Sequence, residues 1–244
     1  MTESSSEPGG ALAARSWGRP LGVLVSPRAT FESIARRPSW LPPLLILLVL
    51  FVVAQVLAMQ KIDMEAAIRD AMERQNQPVD DAQVAQLAEM QSKVGVACNV
   101  VLFPAGMALV AAIFWGLANV AGGEIGFKRS LAVTGHALMP NAVSSLLTIP
   151  VILGRREIDP IAAQHGLLAS HLGALAPEDA PAWVAALLAR VDLFSLWSLA
   201  LLALGFVVVA RLSKGAAIGI VLLVWLFWIG LMVGLSMMGF AGGG

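Results

Sequence analysis

Five apolar stretches that contain no Asp, Glu, Lys or Arg divide this chain. They cover residues 41–59, 94–120, 131–153, 193–210 and 215–238. A helix needs roughly 17–25 apolar residues to cross the hydrocarbon core of a bilayer, and each stretch meets that length. Because the apolar runs are continuous and do not alternate every second residue, helices are favoured over the strands of a β-barrel. We therefore expect an all-α integral membrane protein with a bundle of five transmembrane helices.

Composition supports this class of protein and argues against others. The 244 residues are 58% hydrophobic and 13% charged, with a mean hydropathy of +0.79, whereas soluble domains carry about 25% charged residues. The net charge is zero, so the chain lacks the basic surplus of a nucleic-acid-binding protein. Cys98 is the single cysteine, which excludes an internal disulfide and a cysteine-based zinc site. We expect no nucleic-acid partner and no metal or other cofactor.

The positions of Lys and Arg predict the orientation of the chain, since these residues are enriched in cytoplasmic segments. The segments before the first stretch, between the second and third, and between the fourth and fifth hold nine Lys and Arg and four Glu, a net charge of +5. The other polar segments hold seven basic and twelve acidic residues, a net charge of −5. We therefore expect a cytoplasmic N-terminus and, after five spans, a C-terminus on the outer side of an inner or plasma membrane.

The polar segments predict the remaining organisation. We expect a disordered cytoplasmic tail over residues 1–25, which begins rich in Ser, Gly and Glu, and a membrane domain over residues 26–240. Pro27 is typical of the first position of a helix, and the apolar residues that follow it predict a short helix lying on the membrane surface. Helical periodicity predicts outer helical loops over residues 60–93 and 155–192.

The chain resembles the Yip (Ypt-interacting protein) family, in particular its short prokaryotic-type members. The matching residues are 26–31 (SPRATF) with 38–40 (PSW), the pair Gly122 and Gly123, the segment 130–140, and the run 192–197 (DLFSLW) followed by Gly205. The resemblance implies five membrane helices with a cytosolic N-terminus. For eukaryotic members it also implies a role in membrane traffic, through binding to Rab-type GTPases or to partner membrane proteins.

The third stretch contains the clearest set of polar residues within a predicted span. Their spacing places them along one helix face, called here the polar stripe: Thr134, Asn141, Ser144, Ser145 and Thr148. His136 lies off this face, and Pro140 and Pro150 free backbone carbonyls of the same helix. Since the stripe has no ionisable residue, we favour hydrogen bonding between helices over a hydrated pathway. The alternative is the midplane site of a small permease.

The fifth stretch carries two Gly-x-x-x-Gly pairs on one helix face. This candidate helix-packing face consists of Gly215, Gly219, Gly230 and Gly234. Small residues let two helices approach closely. We favour packing within the chain, and a homo-oligomer formed through the fifth span is the alternative.

No sequence pattern indicates catalysis. The chain lacks the Ser/His/Asp order, the HExxH motif, paired intramembrane aspartates and a Gly-rich phosphate loop. We therefore expect no catalytic, cofactor-binding or metal-ligating residues. Our interpretation is a non-catalytic integral membrane scaffold or adaptor that works through protein or lipid contacts. Its expected partners are the lipid bilayer and other membrane proteins, and a small permease or channel component is the second hypothesis.

Overall fold

The computed structural model describes residues 16–74, 77–159, 167–175, 184, 187–188 and 191–237. Within these residues the chain forms helices and no strand, apart from an isolated antiparallel bridge between His171 and Asp192. In chain order the elements are α1 (Arg19–Val25), α2 (Pro27–Arg36), α3 (Leu41–Met59), α4 (Met64–Arg74), α5 (Asp81–Val120), α6 (Phe127–Ala137), α7 (Met139–Gly154), a 3-10 helix (Leu172–Leu175), α8 (Leu193–Val209) and α9 (Lys214–Met237).

Four helical segments of the described chain are long and apolar enough to cross a membrane. They are Leu41–Met59, Val94–Val120, Phe127–Gly154 and Lys214–Met232. Large apolar side chains on these segments stay uncovered by protein, as with Val101 at 69% exposure and Phe227 at 70%, and lipid suits such a surface. The expected all-α membrane protein is thereby confirmed. Helix α8 is apolar but has 17 residues, about 25 Å against a core of about 30 Å, so the fifth span stays a prediction.

The chain forms two compact units, each assembled from three separate segments. Unit 1 comprises Met1–Val49, Phe103–Val143 and Phe194–Trp225, and unit 2 comprises Leu50–Leu102, Ser144–Leu193 and Leu226–Gly244. Helices α3, α5, α7 and α9 each contribute residues to both units.

The N-terminal helices of unit 1 pack their apolar side chains against protein. Helices α1 and α2 contact each other, and both contact α6. Val23, Phe31 and Ile34 are fully buried, so the expectation that α2 lies with its apolar face on the membrane surface is wrong. The expected disordered tail over residues 1–25 also needs correction, because Arg19–Val25 is helical. The first 15 residues of that tail lie outside the described residues.

Gly205 allows a close approach of α8 to two other helices of unit 1. A Cβ atom at this position would lie 2.6 Å from Cγ1 of Val133 on α6 and 3.0 Å from Cε1 of Phe31 on α2. The next residue, Phe206, is buried, and its ring centroid lies 5.2 Å from that of Phe114 on α5. The core of unit 1 therefore depends on a residue without a side chain at 205, since any larger one would displace its neighbours.

Arg19 ties α1 to the segment that precedes α3. Its side chain is buried, and Nη1 donates hydrogen bonds to the carbonyl oxygen of Arg37 at 2.6 Å and to Oγ of Ser39 at 3.0 Å. Removal from water lowers the pKa of Arg19 below its usual value, and repulsion from Arg36 and Arg37 adds to this effect. These hydrogen bonds meet part of the cost of burying the guanidinium group.

The third predicted span is two helices instead of one. Helix α6 ends at Ala137, Leu138 donates its N–H to the carbonyl oxygen of Thr134 at 3.1 Å, and α7 begins at Met139. Pro140 explains the interruption, because its ring clashes with a preceding carbonyl and it has no N–H to donate. Residues on either side of Leu138 therefore do not share a face in the way that one continuous helix over 131–153 would predict.

Unit 2 contains helical structure between the apolar helices. Helix α4 begins after Asp63, whose Oδ1 accepts the N–H of Ala66 at 3.0 Å, and Arg69 of α4 pairs with Asp81 at 2.8 Å. The Lys61 carbonyl oxygen accepts the N–H of Ile158 at 2.8 Å. Half of the predicted helical loop over residues 155–192 lies outside the described residues, namely 160–166, 176–183, 185–186 and 189–190.

Candidate functional site

The structure divides the residues of the polar stripe between two helices. Thr134 is fully buried on α6, whereas Asn141, Ser144, Ser145 and Thr148 lie half-buried on α7. Thr148 uses its hydroxyl within its own helix, since Oγ1 donates to the carbonyl oxygen of Ser144 at 2.8 Å. Within the described chain, no side-chain hydrogen bond joins Thr134 to the stripe residues of α7. A functional or packing role for the whole stripe stays a prediction.

His136 is fully buried beside the stripe. Its Nδ1 lies 2.8 Å from the carbonyl oxygen of Ala132, one turn earlier on α6. Its Nε2 and the hydroxyl of Thr134 have no hydrogen-bond partner among the described residues. The imidazole thus satisfies one ring nitrogen on its own helix, which accords with a histidine held in the interior.

The glycines of the fifth stretch face open space in this structure. Within the described chain, no atom of a neighbouring element lies within 4 Å of the Cβ that Gly215, Gly219, Gly230 or Gly234 would carry. Close packing of this face inside the chain, the favoured expectation, is therefore absent from the described residues. A role of this glycine face in helix packing stays a prediction, and either lipid or a second copy of the chain could cover it.

A pocket that the sequence did not predict lies where α5, α6 and α8 end or begin. It measures about 560 Å³ and is called here the turn cleft. Its lining residues are Ala35, Asn119, Glu124, Ile125, Gly126, Arg129, Val208, Val209 and Arg211. All of them belong to unit 1, and the volume is within the roughly 300–1,000 Å³ that small-ligand pockets occupy.

Asn119 fixes the turn between α5 and α6. Its Nδ2 donates to the carbonyl oxygens of Trp115 at 2.7 Å and Ile125 at 3.0 Å, and its Oδ1 accepts the N–H of Ile125 at 3.4 Å. The Trp115 ring also meets the ring of Phe127 edge-on, with centroids 6.3 Å apart. The turn that carries Glu124 is thus held against the end of α5.

Two glycines let this turn dock on the turn that follows α8. Gly122 has a φ of 85°, in the left-handed region that favours glycine. A Cβ at Gly123 would lie 2.8 Å from the carbonyl oxygen of Ala118 and 3.1 Å from that of Ala210. The docking is completed by Glu124, which donates its N–H to the carbonyl oxygen of Ala210 at 3.1 Å.

Charged groups of both signs line the turn cleft without pairing. The side chains of Glu124, Arg129 and Arg211 are exposed. Among the described residues, no oppositely charged group lies within 4.0 Å of any of these three side chains. Gly126, the N-cap of α6, adds the positive end of that helix without a side-chain cap. The cleft therefore offers positive potential next to a carboxylate.

In the sequence these charged residues indicate only orientation, and their spacing does not bring them together. Gly122 and Gly123 are part of the family resemblance, and Glu124, Arg129 and Arg211 contribute only to the net charge of the segments expected in the cytoplasm. The useful signal was that charges flank two turns on the same predicted side of the membrane. Within the described chain, no group of three or more His, Cys, Asp or Glu residues is placed to hold a metal ion.

Comparisons with known proteins agree with this architecture. The model of the Yip1 domain matches residues 21–236. The chain is also similar to "Membrane protein YknW" of Bacillus subtilis (strain 168), with 27% identity over 197 residues that cover 80% of each protein. No solved structure matches the chain. The resemblance that began with the Ser26–Phe31 segment is thus confirmed across nearly the whole membrane domain, and the chain belongs to the Yip1 family of multi-pass membrane proteins.

Proposed function

We propose that this protein is a non-catalytic membrane scaffold or adaptor that contacts its partners at the exposed end of unit 1. The observation that carries the proposal is the construction of that end. Asn119, Gly123 and the Glu124–Ala210 hydrogen bond hold two turns together, and exposed charges surround them. A fixed turn with unpaired charges is suited to recognition, because little ordering is needed when a partner binds.

The proposal includes the orientation and span count expected from the sequence. The helix ends and turns on this side of unit 1 carry Lys128, Arg129, Arg211 and Lys214, and basic residues favour the cytoplasm. In this arrangement α8 is the fourth span, and unit 1 presents its turns to the cytoplasm. The protein partner is a membrane protein or a protein recruited to the membrane.

The permease hypothesis receives less support from the polar stripe. Thr148 satisfies its hydroxyl on Ser144, and Thr134 lies fully buried on a separate helix. A hydrated pathway would require continuous polar groups that remain free for a solute. We therefore propose that the α7 members of the stripe stabilise the fold.

Site-specific photo-crosslinking in intact membranes tests the scaffold proposal. A photoreactive residue at Lys128, which is exposed next to the turn cleft, is expected to give a discrete protein adduct. The control is the same residue at Val79, which is exposed in unit 2, and it should not give that adduct. Lipid adducts alone at position 128, together with solute flux through reconstituted vesicles, would contradict the scaffold function.

A further inference from the structure

The turn cleft contains positively and negatively charged side chains, and it lies at the ends of helices that are expected to cross the membrane. Asn119 lies one residue before the end of α5, Gly126 directly precedes α6, and Val209 is the last residue of α8. The first two of these helices belong to candidate spans. Ends of membrane helices lie at the level of the lipid headgroups, which add about 5–8 Å to each side of the hydrocarbon core. A phospholipid headgroup is thus the ligand in direct reach of this pocket.

The arrangement of charged side chains in the cleft matches a zwitterionic headgroup. Arg129 approaches from the first turn of α6, and Arg211 approaches from the turn after α8. Guanidinium groups bind phosphate oxygens through paired hydrogen bonds. Glu124 lines the same pocket and is separated from both arginines by more than ion-pair distance, so its carboxylate can accept hydrogen bonds from a cationic group.

The backbone of Arg211 supports a ligand-binding role for its side chain. Arg211 has a φ of 57°, and it is the one non-glycine residue with a positive φ in the described chain. A left-handed conformation disfavours residues that carry a Cβ, and glycine is the usual choice after a helix. A strained residue that places a charged side chain in a pocket is a reasonable marker of function.

We propose that the turn cleft binds the headgroup of phosphatidylethanolamine, with Arg129 and Arg211 on the phosphodiester and Glu124 on the ammonium group. Basic pockets between membrane helices bind the phosphates of anionic headgroups such as cardiolipin, and Glu124 adds a carboxylate that favours a headgroup with a cation. Phosphatidylcholine offers the same phosphodiester, but its trimethylated ammonium has no N–H to donate to Glu124. Phosphatidylglycerol offers the phosphodiester without a cation, so Glu124 gains no charge-assisted hydrogen bond.

Competition between lipids on the full-length protein tests the inference. The detergent-solubilised protein receives equal amounts of the three lipids, and bound lipid is counted by native mass spectrometry. We expect a preference for phosphatidylethanolamine over phosphatidylcholine of about tenfold, which corresponds to one charge-assisted hydrogen bond. Equal binding of these two lipids by the unaltered protein would overturn the proposal, and so would a preference for phosphatidylglycerol. This comparison needs no variant.

Three variants then assign the headgroup to the cleft. Glu124→Gln is expected to abolish the preference over phosphatidylcholine, and Arg129→Gln to weaken binding of both lipids about tenfold. Arg211→Gly is expected to weaken binding of both lipids as much as Arg129→Gln does. The melting temperature of the Arg211→Gly protein should stay the same or rise, because glycine removes the backbone strain. The control is Arg28→Gln, an exposed arginine on α2 that pairs with Glu32 at 3.2 Å. A loss of lipid with Arg28→Gln equal to that with Arg129→Gln would show general surface attraction and overturn the proposal.

The lipid site goes beyond the proposed function, because it concerns a lipid ligand of the turn cleft and not the protein partner. The crosslinking experiment reports protein adducts, and the competition experiment reports bound lipid. If no protein adduct forms while phosphatidylethanolamine binds selectively, the scaffold function fails and the lipid site stands. If adducts form without lipid selectivity, the lipid site fails and the scaffold function stands.

Discussion

Asn119 bonds both backbone polar groups of Ile125, across the turn that joins α5 to α6. The Nδ2 group donates to the Ile125 carbonyl oxygen at 3.0 Å, and Oδ1 accepts the Ile125 N–H at 3.4 Å. Ile125 is buried, so replacement of Asn119 would leave these backbone groups without their side-chain partner. One side chain therefore sets the geometry of the turn that lines the cleft.

Replacement of Asn119 by alanine is expected to destabilise the protein by about 1–3 kcal/mol, the cost of leaving buried backbone groups unsatisfied. Thermal unfolding in detergent, followed by loss of helical circular dichroism, measures the change. The matched control is Asn99→Ala on the same helix, since the Asn99 side chain forms no hydrogen bond with the described residues. Equal melting temperatures for the two variants would contradict the role assigned to Asn119.

Gly205→Ala is expected to lower stability by about 1–3 kcal/mol, the usual cost of overpacking a core. The added methyl group would lie 2.6 Å from Cγ1 of Val133, and a β-branched side chain has little freedom to move away. Gly116→Ala is the control, because the space around its Cβ position is open within 4 Å. That variant should keep or raise the melting temperature, since alanine favours helices by about 0.5–1 kcal/mol. Similar losses in both variants would argue against the close contact at 205.

The helical membrane fold could be predicted from the sequence because its signal is long and continuous. Stretches such as 41–59 and 94–120 lack charged residues over the length of a span, and the environment that requires this is uniform. The break at Leu138 was harder to predict. Pro140 could have kinked a continuous helix or ended it, and neighbouring contacts decide between these outcomes.

The turn cleft could not be predicted, because it depends on which turns meet. Glu124 and Arg211 are 87 positions apart in the sequence, and their turns meet through the close approach at Gly123 and the hydrogen bond from Glu124 to Ala210. The amphipathic pattern of α2 was also ambiguous. Phe31 and Ile34 predict an apolar face, but the pattern is the same whether lipid or protein covers it.

Two buried hydroxyl groups of α6, those of Ser130 and Thr134, are expected to affect stability in opposite ways when they are removed. Ser130 donates to the carbonyl oxygen of Ala111 on α5 at 2.7 Å, so Ser130→Ala should cost about 0.6–2 kcal/mol, the range for hydrogen bonds between membrane helices. The Thr134 hydroxyl is buried without a partner among the described residues. Thr134→Val keeps the shape and removes an unsatisfied group, so stability should stay the same or increase. A larger loss for Thr134→Val than for Ser130→Ala would show that Thr134 has a partner of its own.

Asn141→Leu separates the scaffold hypothesis from the permease hypothesis. Under the scaffold hypothesis the change removes the one or two hydrogen bonds between helices that the sequence predicts for Asn141, costs about 1–2 kcal/mol and leaves the crosslink from position 128 intact. Under the permease hypothesis it blocks a hydrated path and leaves the melting temperature nearly unchanged. Melting temperature and crosslink yield are measured on the same preparations. A variant of normal stability that retains the crosslink but loses a solute-dependent phenotype would contradict the scaffold function.

The final prediction concerns orientation and the number of spans, which cysteine labelling of intact cells tests together. In a Cys98→Ser background, Gln77→Cys in unit 2 should react with an impermeant maleimide. Ser213→Cys, exposed in the turn after α8, should react only after the cells are permeabilised. The reason is the net charge of +5 on the segments expected in the cytoplasm and −5 on the others.

A third position in this labelling experiment counts the spans. If α8 crosses the membrane, Gly243→Cys lies on the outer side and reacts in intact cells. If α8 stays on one side, the pattern reverses for the last two positions: Ser213→Cys reacts and Gly243→Cys is protected, because only α9 crosses after α7. Protection of position 77 together with reaction at Ser6→Cys would instead overturn the orientation. Helix α8 is about 25 Å long, so a crossing requires the bilayer to thin around it or flanking residues such as Asp192 and Arg211 to reach the headgroups.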